Sequence, residues 1–236
     1  MSASVILLAA GKGKRFSSSG PKVLASLGGK PVFLHSLRTF VAHPDVSEVV
    51  LVAGRESFNG LRAAVKKTRL TKPVKMVYGG KERQDSVRRG LERVSPSADI
   101  ILIHDAARPL ISLSLVDLVI KQAALHGAVV PGVPLKCTIK EVAGARGAGR
   151  RYGGRVAATP DRARFCEVQT PQAFKRRIIL EAYSRMPAGR VFTDDASLVE
   201  TMGRKVMVSA GEYTNIKITT PEDLVLAAAV LRAAGR

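Results

Sequence analysis

The side chains best placed to do chemistry are cations set beside glycines. Gly11, Lys12, Gly13, Lys14 and Arg15 follow the apolar run Val5 to Ala10, and Pro21-Lys22 comes shortly after. An apolar run that stops abruptly at glycines reads as a buried strand delivering a loop to its C-terminal end. Glycines let backbone N–H groups approach an anion, and Lys and Arg supply the countercharge, so the loop suits polyphosphate. It is not a Walker A loop. Leu8 stands where the first glycine would be, and Arg15 where Ser or Thr should follow the lysine. It is not the dinucleotide fingerprint either, because Phe16 replaces the third glycine.

Further polar groups recur at the ends of apolar runs. Gly79-Gly80-Lys81-Glu82-Arg83-Gln84-Asp85-Ser86 follows Val74 to Tyr78 and opens a helix. Its glycines permit close approach to a base, Ser86 can hydrogen-bond, and Arg83 can hold the loop or a phosphate. His104-Asp105-Ala106-Ala107-Arg108-Pro109 ends the Ile100 to Ile103 run. Asp105 there can bind ribose or influence a Mg²⁺ complex, Arg108 can meet a phosphate, and His104 reads as structural. Lys22 and Arg15 suit charge stabilisation at a phosphate under attack. Thr138, Lys140 and Arg162 suit a phosphate on a second substrate, and Asn215-Ile216-Lys217 reads as a cation after a short apolar strand, again suited to phosphate. Thr193 reads as a helix cap.

The elements that must position these groups alternate. Strands are expected at Val5 to Ala10, Glu48 to Ala53, Val74 to Tyr78, Ile100 to His104 and Ala128 to Val133. Helical faces lie between them, at Phe33-Leu34-Leu37-Phe40-Val41, Leu61-Ala64-Val65, Val87-Leu91 and Leu115-Leu118-Val119. Such alternation predicts a Rossmann-like three-layer α/β fold with a mostly parallel twisted sheet. Ligands then bind beyond the carboxyl ends of the strands, where the Gly11 loop, the Gly79-Gly80 loop and Asp105 all fall. From Lys136 to Arg164 the pattern breaks, with eight Lys or Arg against two acids. The flanking stretches Cys137 to Val142 and Phe165 to Val168 have strand-like composition, which predicts a protruding two-stranded arm at about 136–165. Later come a helix from about Lys175, another after Thr193, a strand near Val206 and a closing helix. That last helix is signalled by Thr220, Pro221 and Glu222.

Composition narrows the class. The chain has 236 residues, 46% of them hydrophobic, enough for one ample domain with an appendage. No apolar run approaches membrane-spanning length, and the N-terminal run reads as a core strand, not a signal peptide. Cys137 and Cys166 have no metal-ligand spacing, and a reducing cytoplasm is expected. The net charge of +19 raises a nucleic-acid reading. Against it, the charge is spread along the chain, and seven Phe, four Tyr and no Trp leave few stacking platforms. The basicity reads as solvated surface and as an attractor for small anions.

In order along the chain, several blocks closely resemble the 2-C-methyl-D-erythritol 4-phosphate cytidylyltransferases. They are Leu8-Ala9-Ala10-Gly11-x-Gly13-x-Arg15, Pro21-Lys22, Gly79-Gly80-x-x-Arg83-x-x-Ser86, His104-Asp105-Ala106-Ala107-Arg108-Pro109, Thr170-Pro171-Gln172, Thr193-Asp194-Asp195-Ala196, and Asn215-Ile216-Lys217-x-Thr219-x-Pro221-Glu222-Asp223-Leu224. The resemblance implies transfer of CMP from CTP to the polyol phosphate with release of pyrophosphate, in non-mevalonate isoprenoid synthesis. Arg15 and Lys22 would be catalytic. Ala9, Ala10, Gly11, Gly13, Gly80, Lys81, Ser86 and Asp105 would hold the nucleotide. Arg108, Thr138, Arg162 and Lys217 would hold the acceptor. Mg²⁺ or another divalent cation would ride mainly on the CTP phosphates near Asp105. The resemblance also implies a homodimer in which the arm of one subunit helps complete the partner's site, while composition leads to no expected membrane or nucleic-acid partner.

Three features depart from the family pattern. Cys137 stands where Asp often precedes the arm threonine, Lys81 stands where Asp often follows the second glycine, and extra Gly and Arg occupy 146–154. Two other readings follow from the residues: a cytidylyltransferase for another polyol phosphate such as ribitol 5-phosphate, and a nucleic-acid-binding protein using the basic arm. The length predicts no fused cyclodiphosphate synthase domain.

Overall fold

The computed structural model describes residues 1–11, 16, 20–143 and 154–234. Its frame is an eight-stranded sheet flanked by helices on both faces. Strands β1 (Ala3–Ala9), β4 (Val46–Ala53), β5 (Val74–Tyr78) and β6 (Ile100–Asp105) run parallel as neighbours in the order β6-β1-β4-β5, with Leu8 opposite Asp105. Between β1 and β4 come a small hairpin of β2 (Ser26–Leu27) and β3 (Lys30–Pro31), then helix α1 (Val32–Ala42). Helices α2 (Phe58–Lys67), α3 (Arg83–Leu91) and α4 (Leu113–His126) make the next crossovers, and β7 (Ala128–Pro134) extends the sheet.

The period-2 alternation of a strand buried on both faces is explicit. Val5, Leu7, Val49, Leu51, Ile100 and Leu102 pack toward α1, α2 and α4. Ile6, Val50, Val52, Ile101 and Ile103 pack toward α3 on the other face. Cutting Phe40, fully buried in the first layer, to Ala would cost about 3–5 kcal/mol.

Past β7 the sheet turns mixed. The arm hairpin is β8 (Glu141–Val142) with β9 (Val156–Ala158). This corrects the expected pairing of Cys137 to Val142 with Phe165 to Val168. Strand β10 (Cys166–Val168) instead joins the main sheet, antiparallel to Gly132–Pro134 of β7. A closer partner in sequence costs β8 less loop-closure entropy, and β7 offers β10 an open edge. The extra arm residues 146–153 lie outside the described residues. Four residues after Pro171 form an unexpected strand, β11 (Gln172–Lys175), inserted antiparallel between β6 and β7. The Thr170–Pro171 peptide bond before it is cis.

The C-terminal elements are α5 (Arg176–Ser184), α6 (Asp195–Glu200), the edge strand β12 (Met207–Ala210), parallel to β7, and α7 (Pro221–Ala233). Helix α5 packs its Ile178, Ile179 and Tyr183 into the second layer. Helix α7 begins as expected, with a capping box between Thr220 and Asp223 and Pro221 in its first turn. Helix α6 does not. Its cap is Asp194, which accepts the Ser197 N–H at 3.0 Å, and not Thr193. Ile216 and Lys217 lie in irregular chain rather than after a strand. Among the described residues no helix is long and apolar enough to cross a membrane.

Candidate active site

Because β1, β5 and β6 are parallel, their C-terminal ends open on one edge of the sheet. The chain leaving β1 and the chain leaving β5 enclose a cleft of ≈ 520 Å³ lined by Ala10, Gly11, Gly79, Gly80, Lys81 and Arg89, among others. Two glycines are obligatory here. A Cβ on Gly79 would sit 2.4 Å from the Ala10 methyl, and one on Gly80 2.2 Å from the Cβ of Asp85. Without those Cβ atoms the Gly79 backbone closes on Ala10 and the Gly80 backbone packs against the start of α3. Ser86 is buried and fixes the wall from behind. Its Oγ accepts the Gly80 N–H at 3.1 Å and donates to Glu82 O at 3.2 Å. Arg89 adds a clamp, donating from Nη1 to Gly79 O at 2.8 Å. Ala9 is buried as the last residue of β1.

Beside the cleft, Asp105 is the hub of a charge network. It ends β6, and its backbone N–H donates to Thr170 Oγ1 at 3.1 Å. Lys217 Nζ lies 2.5 Å from Oδ2, and Arg83 Nε lies 3.6 Å from Oδ1. Burial alone would raise the Asp105 pKa. Arg83 and then Lys217 outweigh it and hold the carboxyl well below the usual carboxylate range. Arg83 is shared: its Nη1 lies 2.8 Å from Asp195, whose other oxygen accepts the Tyr183 hydroxyl at 2.6 Å. Burial works against the Arg83 charge, but Asp195 and then Asp105 more than restore it. Burial, then the charge of Asp195, pushes Tyr183 up and keeps it a donor. Gln172 locks α6 in place. Its Oε1 accepts the N–H groups of Asp195 and Ala196, each at 3.0 Å, while its Nε2 donates to Asp194 at 2.6 Å.

Two further cations attach to the hub through backbone. Lys22, in a 3₁₀ turn after Pro21, donates to Ile218 O at 2.9 Å, next to Lys217. Arg108 is only 6% exposed and donates to Asn215 O at 2.6 Å and to Val168 O at 3.4 Å. It thereby braces the segment that presents Lys217. His104 is fully buried, with Nδ1 at 3.1 Å from Thr170 Oγ1 and Nε2 at 3.0 Å from Arg108 O. Burial lowers its pKa to about 4, so it packs as a neutral ring, in keeping with a structural role.

The structure therefore gathers Ala10, Gly11, Gly80 and Lys81 at one cleft, and Lys22, Asp105, Arg108 and Lys217 in one adjoining network. Thr138 and Arg162 are elsewhere, exposed on the arm. Arg162 donates to Lys136 O at 2.6 Å, and no hydrogen bond or ion pair among the described residues joins either of them to Asp105 or Lys217. Arg15 and Gly13 lie outside the described residues. Asp195, Tyr183, Gln172 and Arg89 carry roles that sequence reasoning did not assign. The only hints were the Thr-Pro-Gln and Thr-Asp-Asp-Ala blocks.

No group of three or more His, Cys, Asp or Glu that could cage a metal exists among the described residues. A single ionised carboxylate such as Asp105 is a donor set that suits Mg²⁺ carried on a nucleotide, since that ion keeps waters and phosphate oxygens as most of its ligands.

Comparison with known proteins agrees over nearly the whole chain. The family model described as IspD, 2-C-methyl-D-erythritol 4-phosphate cytidylyltransferase, matches residues 3–233. The cytidylyltransferase of that name from Syntrophus aciditrophicus is 42% identical over 229 residues, covering 96% of this chain and 94% of the relative. The crystal structure of 4-diphosphocytidyl-2C-methyl-D-erythritol synthase from Anaerococcus prevotii superposes with a TM-score of 0.83 at 30% identity, covering 98% of each chain. That of the Thermus thermophilus cytidylyltransferase gives 0.76 at 34% identity, covering 98% of this chain and all of that one. The chain belongs to the 2-C-methyl-D-erythritol 4-phosphate cytidylyltransferase family, the CTP-dependent nucleotidyltransferases of non-mevalonate isoprenoid synthesis.

Proposed function

We propose that this chain transfers CMP from CTP to 2-C-methyl-D-erythritol 4-phosphate through the cleft and the Asp105 network. The observation that carries the reading is the ionised Asp105 held between Lys217 and Arg83 at the C-terminal end of β6, on the same sheet edge where the glycine-walled cleft opens. Cytosine lies against the Gly79-Gly80-Lys81 wall backed by Ser86, with Ala9 and Ala10 beneath it and the ribose toward Asp105. The triphosphate runs past Gly11 toward Lys22, and Gly13 and Arg15 take the phosphate-binding roles that the family motif assigns them.

An acceptor phosphate oxygen attacks the α-phosphorus, a new P–O bond forms, and the bond to the β-phosphate oxygen breaks. Pyrophosphate leaves with the electron pair. The attacking phosphate is already ionised, so no protein nucleophile or base is required. The work left to the protein is alignment of two anions and stabilisation of the charge that builds between them. Lys22 and Arg15 do this at the α-phosphate. Lys217 holds the acceptor phosphate, with Arg108 bracing its segment. Mg²⁺, when bound on the nucleotide near Asp105, supplies neutralisation of the phosphate charge.

Residues 1–236 serve as a single nucleotidyltransferase domain whose arm, at about 136–165, meets a second copy in a cytoplasmic homodimer. Thr138 and Arg162 then complete the acceptor site of the partner, a reading supported by their exposure on the arm.

Pyrophosphate release with Mg²⁺ and CTP tests the reading. Release is expected with methylerythritol phosphate and not with ribitol 5-phosphate. Release with ribitol 5-phosphate alone would keep the CTP site and overturn the acceptor. Silence with both, alongside tight and steeply salt-dependent RNA binding, would move the function to the basic surface.

A further inference from the structure

Immediately after Arg108 the chain leaves the hub, and Pro109, Leu110 and Ile111 form one wall of a separate pocket of ≈ 450 Å³. None of the residues lining the nucleotide cleft lines this one. The pocket exists because of the β2–β3 turn. Gly28 and Gly29 both have positive φ, and a Cβ on Gly28 would strike Leu231 of α7 at 2.7 Å. The tight turn sets Lys30 beside α1, which turns His35, Arg38 and Thr39 to the same side at i, i+3 and i+4. The core-facing residues of α1 are Phe33, Leu34, Leu37, Phe40 and Val41, so this is the helix's other face.

The pocket's chemistry is one-sided. Lys30 and Arg38 are exposed, and neither has an ion-pair partner among the described residues. No carboxylate lines the pocket. Beside these cations the apolar side is Leu113, left 47% exposed, standing over the buried Leu110 and Leu231. Two exposed cations beside one concavity, with no counter-ion among the described residues and with leucines next to them, match an anion that carries a hydrocarbon body. The volume is that of a small-molecule site rather than a macromolecular surface.

We propose that this pocket binds a soluble phosphate monoester bearing a short apolar chain. The dianionic head sits between Lys30 and Arg38, and the chain covers Leu110, Leu113 and Leu231.

The test is a titration of the full chain, saturated with CTP, with n-pentyl phosphate, followed by ¹H–¹⁵N correlation spectra. Inorganic phosphate and 1-pentanol are titrated separately. Saturable shifts at residues 28–42 and 109–113 are expected, with each half-ligand weaker on the order of tenfold or more. The double variant Lys30→Glu, Arg38→Glu should lose saturation while keeping wild-type spectral dispersion and pyrophosphate release. Lys217→Gln, which removes a phosphate-binding cation of the catalytic cleft, should leave the titration unchanged. Shifts that follow Asp105 and Lys217, binding that survives the double charge reversal, or equal affinity for inorganic phosphate alone would each overturn the proposal.

Discussion

Two polar regions of this chain are built in opposite ways. Around Asp105, side chain meets side chain: Lys217, Arg83, Asp195 and Tyr183 form one continuous network, and Asp195 is completely buried. On the arm, Thr138, Lys140 and Arg162 are exposed, and the contacts of the latter two stay within the arm and its base. Lys140 donates to Thr159 at 2.7 Å and Arg162 to the Lys136 carbonyl. The hub has its charges in place before a ligand arrives, so little reorganisation is needed when phosphate charge develops. The arm's donors must be ordered by something else, an acceptor or a second copy, and the ordering entropy is spent at binding. The chain thus holds one polar region fully paired and leaves the other exposed.

The most direct way to break this contrast is to remove the hub's buried anion. Asp195→Ala leaves Arg83 facing only Asp105 and strands the Tyr183 hydroxyl, and breaking such a buried pair costs about 3–5 kcal/mol. Urea unfolding should show that loss, while Lys140→Ala on the arm should stay within about 0.5 kcal/mol of the parent. Equal midpoints for the two variants would mean that the hub is no more committed than the arm. Lys22→Ala sharpens the contrast on the catalytic side. It should lower kcat by ~10²–10³, the range for losing one transition-state donor, with little change in Tm. An inactive Lys22→Ala protein that is also unfolded would remove Lys22 from the chemistry.

What the sequence shows of these regions follows from the range of the forces involved. The parallel strands announce themselves as apolar runs, because burial on both faces demands them, and Asp105 stands out as a charge at the end of one. The start of α7 is legible because Thr220, Pro221 and Asp223 act within one turn. The Arg83–Asp195–Tyr183 network is not, since Arg83 lies more than a hundred positions before the Asp195 carboxylate that Tyr183 shares, and no local pattern encodes that meeting. The same limit explains the cap of α6. Thr193 and Asp194 are both good cap residues by type, and the choice is settled by Gln172 reaching across from β11. It explains β10 as well: Cys166 to Val168 has strand composition, but its partner depends on which edge of β7 is open.

Acid should find the hub before it finds the arm. His104 is neutral when folded because burial lowers its pKa to about 4, against 6.5 for the free side chain. The unfolded chain therefore binds the proton first as pH falls. The stabilisation from keeping this ring neutral is fully present above pH 6.5 and is lost progressively down to about pH 4. It amounts to roughly 3 kcal/mol at most, from about 1.4 kcal/mol per pH unit. Urea midpoints between pH 8 and pH 4 would trace it, and His104→Gln should flatten that part of the curve. A slope unchanged in the variant would place the acid sensitivity elsewhere.

The smallest expected effect is the most telling for the arm. Arg162→Ala removes an exposed cation whose one hydrogen bond goes to a backbone carbonyl, so stability should move by less than about 0.5 kcal/mol. If the arm reaches an acceptor phosphate only in the assembled enzyme, KM for methylerythritol phosphate should rise by about tenfold, the value of one exposed charge-assisted contact. KM for CTP should stay put, because the cleft at Gly80 and Lys81 is built without the arm. Mixing Arg162→Ala with Lys22→Ala then separates the two architectures. If the arm serves its own subunit, the mixture is no more active than the sum of its parts. If it serves the partner, mixed dimers contain one site with both residues intact, and activity with low acceptor concentrations rises above that sum.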